Sequence, residues 1–132
     1  MKKNFLFGVL VSFLIFGGVT VFVSQQRSVA DTSSTQSGVS VRDGTQYIDM
    51  TAKGGYTPRR ITARAGIPTV LNVSTRATFD CSTSIVIPSL DVRQTLSSSG
   101  VTKITLGTYK SGDVVAGSCS MGMYGFEIVF SS

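Results

Sequence analysis

A chain of 132 residues with a formal net charge of +5 and no histidine has room for one small domain. It lacks the imidazole on which triads, dyads and most proton shuttles depend. Four of its twelve basic residues (Lys2, Lys3, Arg27 and Arg42) precede Asp43; from there eight basic residues face six acidic ones, a net of +2. That balance is too even for a phosphate-binding footprint, so nucleic acid is not an expected partner.

Phe5 to Val23 is a run of 19 uncharged, mostly apolar residues behind Lys2 and Lys3, long enough to cross a bilayer as a helix. The basic flank predicts that the amino terminus stays in the cytoplasm and that the rest is exported. The expectation is a transmembrane signal anchor over 1–24 that holds the protein at the cell membrane, single-pass, with its domain on the extracytoplasmic face. A cleaved signal peptide is the alternative, because Ser28-Val29-Ala30 offers small residues at peptidase spacing. Residues 25–44 are rich in Ser, Thr and Gln and almost free of large apolar side chains, which predicts a flexible linker.

From residue 45 to 132 short runs of Val, Ile, Thr and Tyr alternate with Gly, Pro, Ser and Asp, the pattern of an all-β domain. The predicted strands are Gln46 to Ala52, Arg60 to Ala65, Thr69 to Thr75, Ser84 to Ile87, Val92 to Leu96, Val101 to Leu106, Val114 to Ser118 and Phe126 to Phe130. Eight strands at this spacing suggest a sandwich or barrel. Ile48, Met50 and Ala52 are read on one face of the first and Leu71 and Val73 on one face of the third, with Asp49, Asn72 and Thr75 on the opposite faces. Arg59-Arg60 is read as a solvated strand edge, or else as a docking patch for an acidic partner. No stretch shows helical periodicity.

The chemistry lies in sulfur. Cys81 stands just ahead of the apolar run Ile85-Val86-Ile87-Pro88, and Cys119-Ser120-Met121-Gly122-Met123 packs one thiol and two thioethers into five residues. In an exported domain two cysteines suggest a disulfide, here across 38 residues and worth roughly 4 kcal/mol in the chain-entropy model. The two methionines beside Cys119 favour a soft metal instead, because thiolate and thioether donors select Cu(I). Zinc is less suited, since its structural sites want four Cys or His ligands. Met50 is read as core, and Tyr56 and Tyr124 as packing residues that can shield the sulfurs. Catalysis is not expected. The domain carboxylates have no motif spacing, Gly54-Gly55 precedes Tyr-Thr-Pro rather than a helix, and the sequence beside Cys119 supplies no base or cation to acidify a nucleophile.

The segments Met50, Gly54-Gly55-Tyr56-Thr57-Pro58, Ala65-Gly66-Ile67-Pro68, Cys81 with Ile85-Val86-Ile87-Pro88, Gly112 and Cys119-Ser120-Met121-Gly122-Met123 together resemble the cupredoxin-like domains. Within them they are similar to an exported branch whose loop reads Cys-x-Met-Gly-Met. The resemblance implies a Greek-key β-sandwich with a copper site at one end. By position Cys81 resembles the upstream histidine of that family and Cys119 its loop cysteine, while Met121 and Met123 fall where the loop histidine and methionine would stand. Replacing both imidazoles by sulfur stabilises Cu(I) and disfavours a one-electron shuttle. The expected ligands are Cys81 and Cys119, with Met121 or Met123 as a weaker third. The expected role is copper chaperoning, delivery or sequestration with a copper transporter, chaperone or oxidase at the membrane. An electron carrier with an altered site and a metal-free module with a structural disulfide are the alternatives.

Overall fold

Side-chain alternation builds two sheets that share one core. The computed structural model describes residues 38–132, all within one compact unit; the expected anchor and most of the linker lie outside the described residues. Among the described residues no helix is long and apolar enough to cross a membrane.

In β2 (Thr45–Ala52) Ile48, Met50 and Ala52 are buried while Asp49 and Thr51 face outward, the period of two that a half-buried strand requires. Strand β2 pairs in parallel with β5 (Thr69–Thr75), β5 pairs antiparallel with β8 (Gly100–Gly107), and the two-residue β3 (Tyr56–Thr57) pairs with the end of β2. The second sheet runs β4 (Arg60–Arg64), β10 (Gly125–Ser131), β9 (Val114–Cys119), β6 (Ser84–Ile87), β7 (Val92–Thr95), with β4 and β10 parallel and the rest antiparallel. Ile48, Met50, Leu71 and Val73 of the first sheet meet Ile61, Ile85, Val115, Ile128 and Phe130 of the second in a single buried cluster, the interior of a β-sandwich.

All eight strands expected from the sequence form, with ends shifted by no more than a residue. Two strands escaped the sequence reading. One is β3; the other is β1 (Val39–Arg42), which lies in the expected linker and pairs antiparallel with β2 from Val39↔Ile48 to Arg42↔Thr45. Its four residues carry too little apolar surface to announce a strand, and it forms because β2 offers a free edge. A second correction concerns Thr75, read as outward-facing. It shares the parity of Leu71 and Val73 and is only 8 % exposed. Its hydroxyl donates to the carbonyls of Ser97 (2.8 Å) and Gly100 (3.3 Å), which satisfies the polar group a buried position would otherwise strand.

Gln46 ties the two sheets together. Its amide nitrogen donates to Thr69 Oγ1 at 2.9 Å and to the Arg64 carbonyl at 3.1 Å, and its oxygen accepts from the Arg64 N–H at 2.8 Å. Gln46 shares the parity of Ile48, Met50 and Ala52, which places it on the inward face of β2; its partners on two other strands satisfy the amide there.

Candidate metal centre

Strand pairing brings the two cysteines to one end of the second sheet. Cys119 closes β9 and lies opposite Ile85 of the neighbouring β6, while Cys81 opens a three-residue 3-10 turn, Cys81–Thr83, that runs directly into β6. Asp80 caps this turn, one carboxylate oxygen accepting from the Ser82 N–H at 2.8 Å and from the Ser82 hydroxyl. The other oxygen accepts from the Gly54 N–H at 2.9 Å. Short polar side chains serve well at this position because their oxygens satisfy amides that the turn leaves unpaired.

Beyond Cys119 the chain reverses through Ser120–Tyr124. The Cys119 N–H donates to the Tyr124 carbonyl and the Gly122 N–H to the Cys119 carbonyl, both at 3.0 Å. Gly122 adopts φ +72°, a left-handed conformation that glycine takes without a Cβ penalty. The tight loop turns three backbone amides, those of Met121, Met123 and Tyr124, toward the Cys119 sulfur.

Both cysteines are free thiols, and each lies close enough to shift the other's ionisation. Burial pushes the Cys119 thiol up, but the Cys81 thiol and those three amides outweigh it and bring the group down to about 7. Cys81 moves the opposite way, above the ordinary thiol range, chiefly through the neighbouring Cys119 and secondarily through desolvation. The pair therefore favours one thiolate stabilised by one thiol. The sequence beside Cys119 holds no cation or base, and none is needed. Backbone N–H groups and a second cysteine 38 residues away do the acidifying, and neither is visible in linear sequence.

The remaining expected site residues are placed differently. Met121 and Met123 contribute backbone amides to the Cys119 sulfur, yet their side chains are 75 % and 63 % exposed. Phe79, two residues before Cys81, is 83 % exposed. Tyr56 is buried, donates to the Ser84 carbonyl at 3.1 Å and sets its ring edge-on to Phe126 at 5.1 Å and 69°. Its phenol is pushed up by burial first, then by negative charge on Cys119, Cys81 and Asp80, so Tyr56 is a neutral apolar wall beside the sulfurs. Asp80 and the Gly54 amide were missed in the sequence, where they are an ordinary turn aspartate and a loop glycine. Asp80 sits one residue ahead of a cysteine in a capping pattern, and this was the available clue.

Among the described residues no group of three or more His, Cys, Asp or Glu side chains comes together, so a four-coordinate zinc site of the Cys and His type has no residues to form it. Two adjacent sulfurs, one readily ionised, with thioethers on the same loop, fit a soft ion of low coordination number.

The fold and this dithiol end define a β-sandwich with a sulfur-lined rim. No family model and no curated protein sequence matches the chain. Among solved structures it is similar to the metal-binding domain of the Cu(I)-exporting P-type ATPase CopA of Streptococcus pneumoniae, determined with Cu(I). The identity is 24 %, the TM-score 0.63, and the match covers 71 % of this chain and 93 % of that one. It is also similar to the solution structure of a copper-binding protein in its apo form, at 22 % identity and TM-score 0.63, covering 70 % of this chain and 94 % of that one. At these identities the likeness establishes a shared fold.

Proposed function

We propose that this protein binds Cu(I) between Cys81 and Cys119, with Met121 or Met123 as a weaker third ligand, in a cupredoxin-like domain. The carrying observation is the thiol pair itself: two free cysteines distant in sequence, brought to one end of one sheet, Cys119 opposite Ile85 of β6 and Cys81 in the turn that enters β6. A metal-binding sulfur must give up its proton, and with Cys119 brought down to about 7 the first proton is about half lost at neutral pH. Bound Cu(I) would supply charge neutralisation for the pair; the protein contributes the ligand spacing and the dry Tyr56 and Phe126 wall. The names of the two similar structures, both copper proteins, support the same metal.

The wider role follows from the apolar segment over Phe5 to Val23. On this reading the domain is exported and membrane-tethered and exchanges copper with a transporter, chaperone or oxidase, with the tether raising the local concentration of domain near an integral-membrane partner. Phe79, Met121 and Met123, exposed beside the two cysteines, suit a transient docking rim. The absence of histidine from the chain weighs against an electron carrier, whose site needs ligands that accept both copper oxidation states.

The test is anaerobic titration of the reduced chain with Cu(I) against a chromophoric chelator. Saturation near one ion per chain is expected, with competition abolished by C119S or C81S and weakened by joint replacement of Met121 and Met123 with leucine. Absence of competition, with both thiols free by labelling, would remove the copper reading.

A further inference from the structure

Gly54 and Gly55 of the turn between β2 and β3, together with Tyr56 that opens β3, touch both thiol-bearing segments. The Gly54 N–H donates to Asp80 at 2.9 Å, and Asp80 holds the 3-10 turn of Cys81 through Ser82. Gly55 lies under the Tyr124 ring, where an added Cβ would come within 3.4 Å of Tyr124 Cδ1. Tyr124 in turn receives the Cys119 N–H at 3.0 Å. Tyr56 reaches the Ser84 carbonyl, where the Cys81 turn enters β6, and packs on Phe126, where the Cys119 loop enters β10. The turn is itself closed by the Lys53 N–H donating to the Gly55 carbonyl at 2.9 Å.

We infer that Gly54-Gly55-Tyr56 is a brace that sets the spacing of the two sulfurs, acting on Cys81 through Asp80 and on Cys119 through Tyr124. Asp80 is thus a positioning residue. The inference deepens the proposed Cu(I) site and rests on that reading for its role in metal binding. The need for a brace is geometric. The ladder of β6 fixes the chain from Ser84 onward, whereas Cys81 precedes it in a single 3-10 turn outside the ladder, two residues after an exposed phenylalanine. Sheet hydrogen bonds place Cys119; they do not place Cys81. Asp80 is held by an amide from the opposite sheet's connection, so the brace links the Cys81 segment to β2 across the end of the sandwich. Groups that orient metal ligands from behind commonly cost 10- to 100-fold in affinity when removed.

Two substitutions isolate the brace from the cap. D80N and D80S each keep an oxygen able to cap the 3-10 turn, but neither leaves a second acceptor for the Gly54 N–H. The readout is the rate at which diamide closes a Cys81–Cys119 disulfide in the reduced, copper-free full chain. Two thiols lose two electrons and two protons, and the diazene is reduced to its hydrazine. Both variants should close the bond roughly 10-fold more slowly than the parent, with an unchanged far-ultraviolet circular dichroism spectrum. They should also bind Cu(I) about 10-fold more weakly at the same stoichiometry. The same variants in C81S and C119S backgrounds give the rate at which diamide captures each single thiolate, so slower closure with unchanged capture reports spacing. Closure at the parental rate or faster in the folded variants would overturn the brace. Slow closure in the variants of a protein whose parent fails to compete for Cu(I) would sustain the brace and refute the copper site.

Discussion

Replacing Gly117 with alanine tests how the strand that ends in Cys119 is packed. Gly117 is buried in β9 and pairs with Phe126 of β10, whose ring lies over it. An added Cβ would sit 2.3 Å from Phe126 Cζ and 2.5 Å from Cε1, far inside van der Waals contact, so the ring must move. Overpacking of this kind costs roughly 1–3 kcal/mol. Displacing Phe126 also loosens its edge-on pairing with Tyr56, worth about 0.5–1.5 kcal/mol. Alanine recovers about 0.5–1 kcal/mol by restricting the unfolded chain relative to glycine. The net expectation is a loss of about 2 kcal/mol, or on the order of 10 °C in melting temperature for a domain of this size. Urea unfolding followed by tyrosine fluorescence measures it, since the chain has no tryptophan. Trimming the ring in the double variant G117A/F126L should restore part of the loss. A G117A protein within about 0.5 kcal/mol of the parent would show that the ring does not pack against this backbone and that the account of the Cys119 strand is wrong.

Two further outcomes follow from the site. The folded state holds Cys119 below an ordinary thiol, at about 7, against roughly 8.5 in the unfolded chain. Its stabilising contribution is therefore present above the ordinary thiol range and lost as pH falls through about 7. Cys81, shifted upward, acts oppositely, with its contribution present below the ordinary thiol value and lost at higher pH. The reduced, metal-free protein should gain stability from pH 7 toward the ordinary thiol range and then decline. With no histidine in the chain no other side chain of ordinary pKa titrates in that interval; urea midpoints of parent and C119S across it should differ in slope, and parallel curves would refute the assignment. Separately, Y56F removes the hydroxyl that donates to the Ser84 carbonyl and should cost about 1 kcal/mol. Unchanged urea stability would mean that the buried phenol contributes no net hydrogen bond.

Most of the fold was legible because the strands obey a local rule. Ile48, Met50 and Ala52 recur every second residue, glycine-rich turns separate the runs, and the eight predicted strands follow from those two signals. The failures have two causes. β1 exists because β2 has an edge to pair with, which its own four residues do not announce. Gln46 and Thr75 share the parity of their buried neighbours, so alternation alone places them inward; their polar side chains point the reading outward, and the remote groups that satisfy them, Arg64 and Thr69 for the amide and the Ser97 carbonyl for the hydroxyl, come together only in the fold.

The candidate site divides along the same line. Sequence by itself determined the donor inventory: two thiols, two thioethers beside one of them and no imidazole. The preference for a soft ion follows from that inventory, because softness belongs to the donor atom and not to its coordinates. Only the tertiary structure decided that Cys81 and Cys119 meet, that the neighbouring thiol and three loop amides acidify Cys119, that the methionine side chains stand exposed, and that Asp80 and Gly54 brace the Cys81 turn. Those properties are distances and directions between segments tens of residues apart, set by which strands pair and in what register. A linear sequence carries that information only through the fold it adopts.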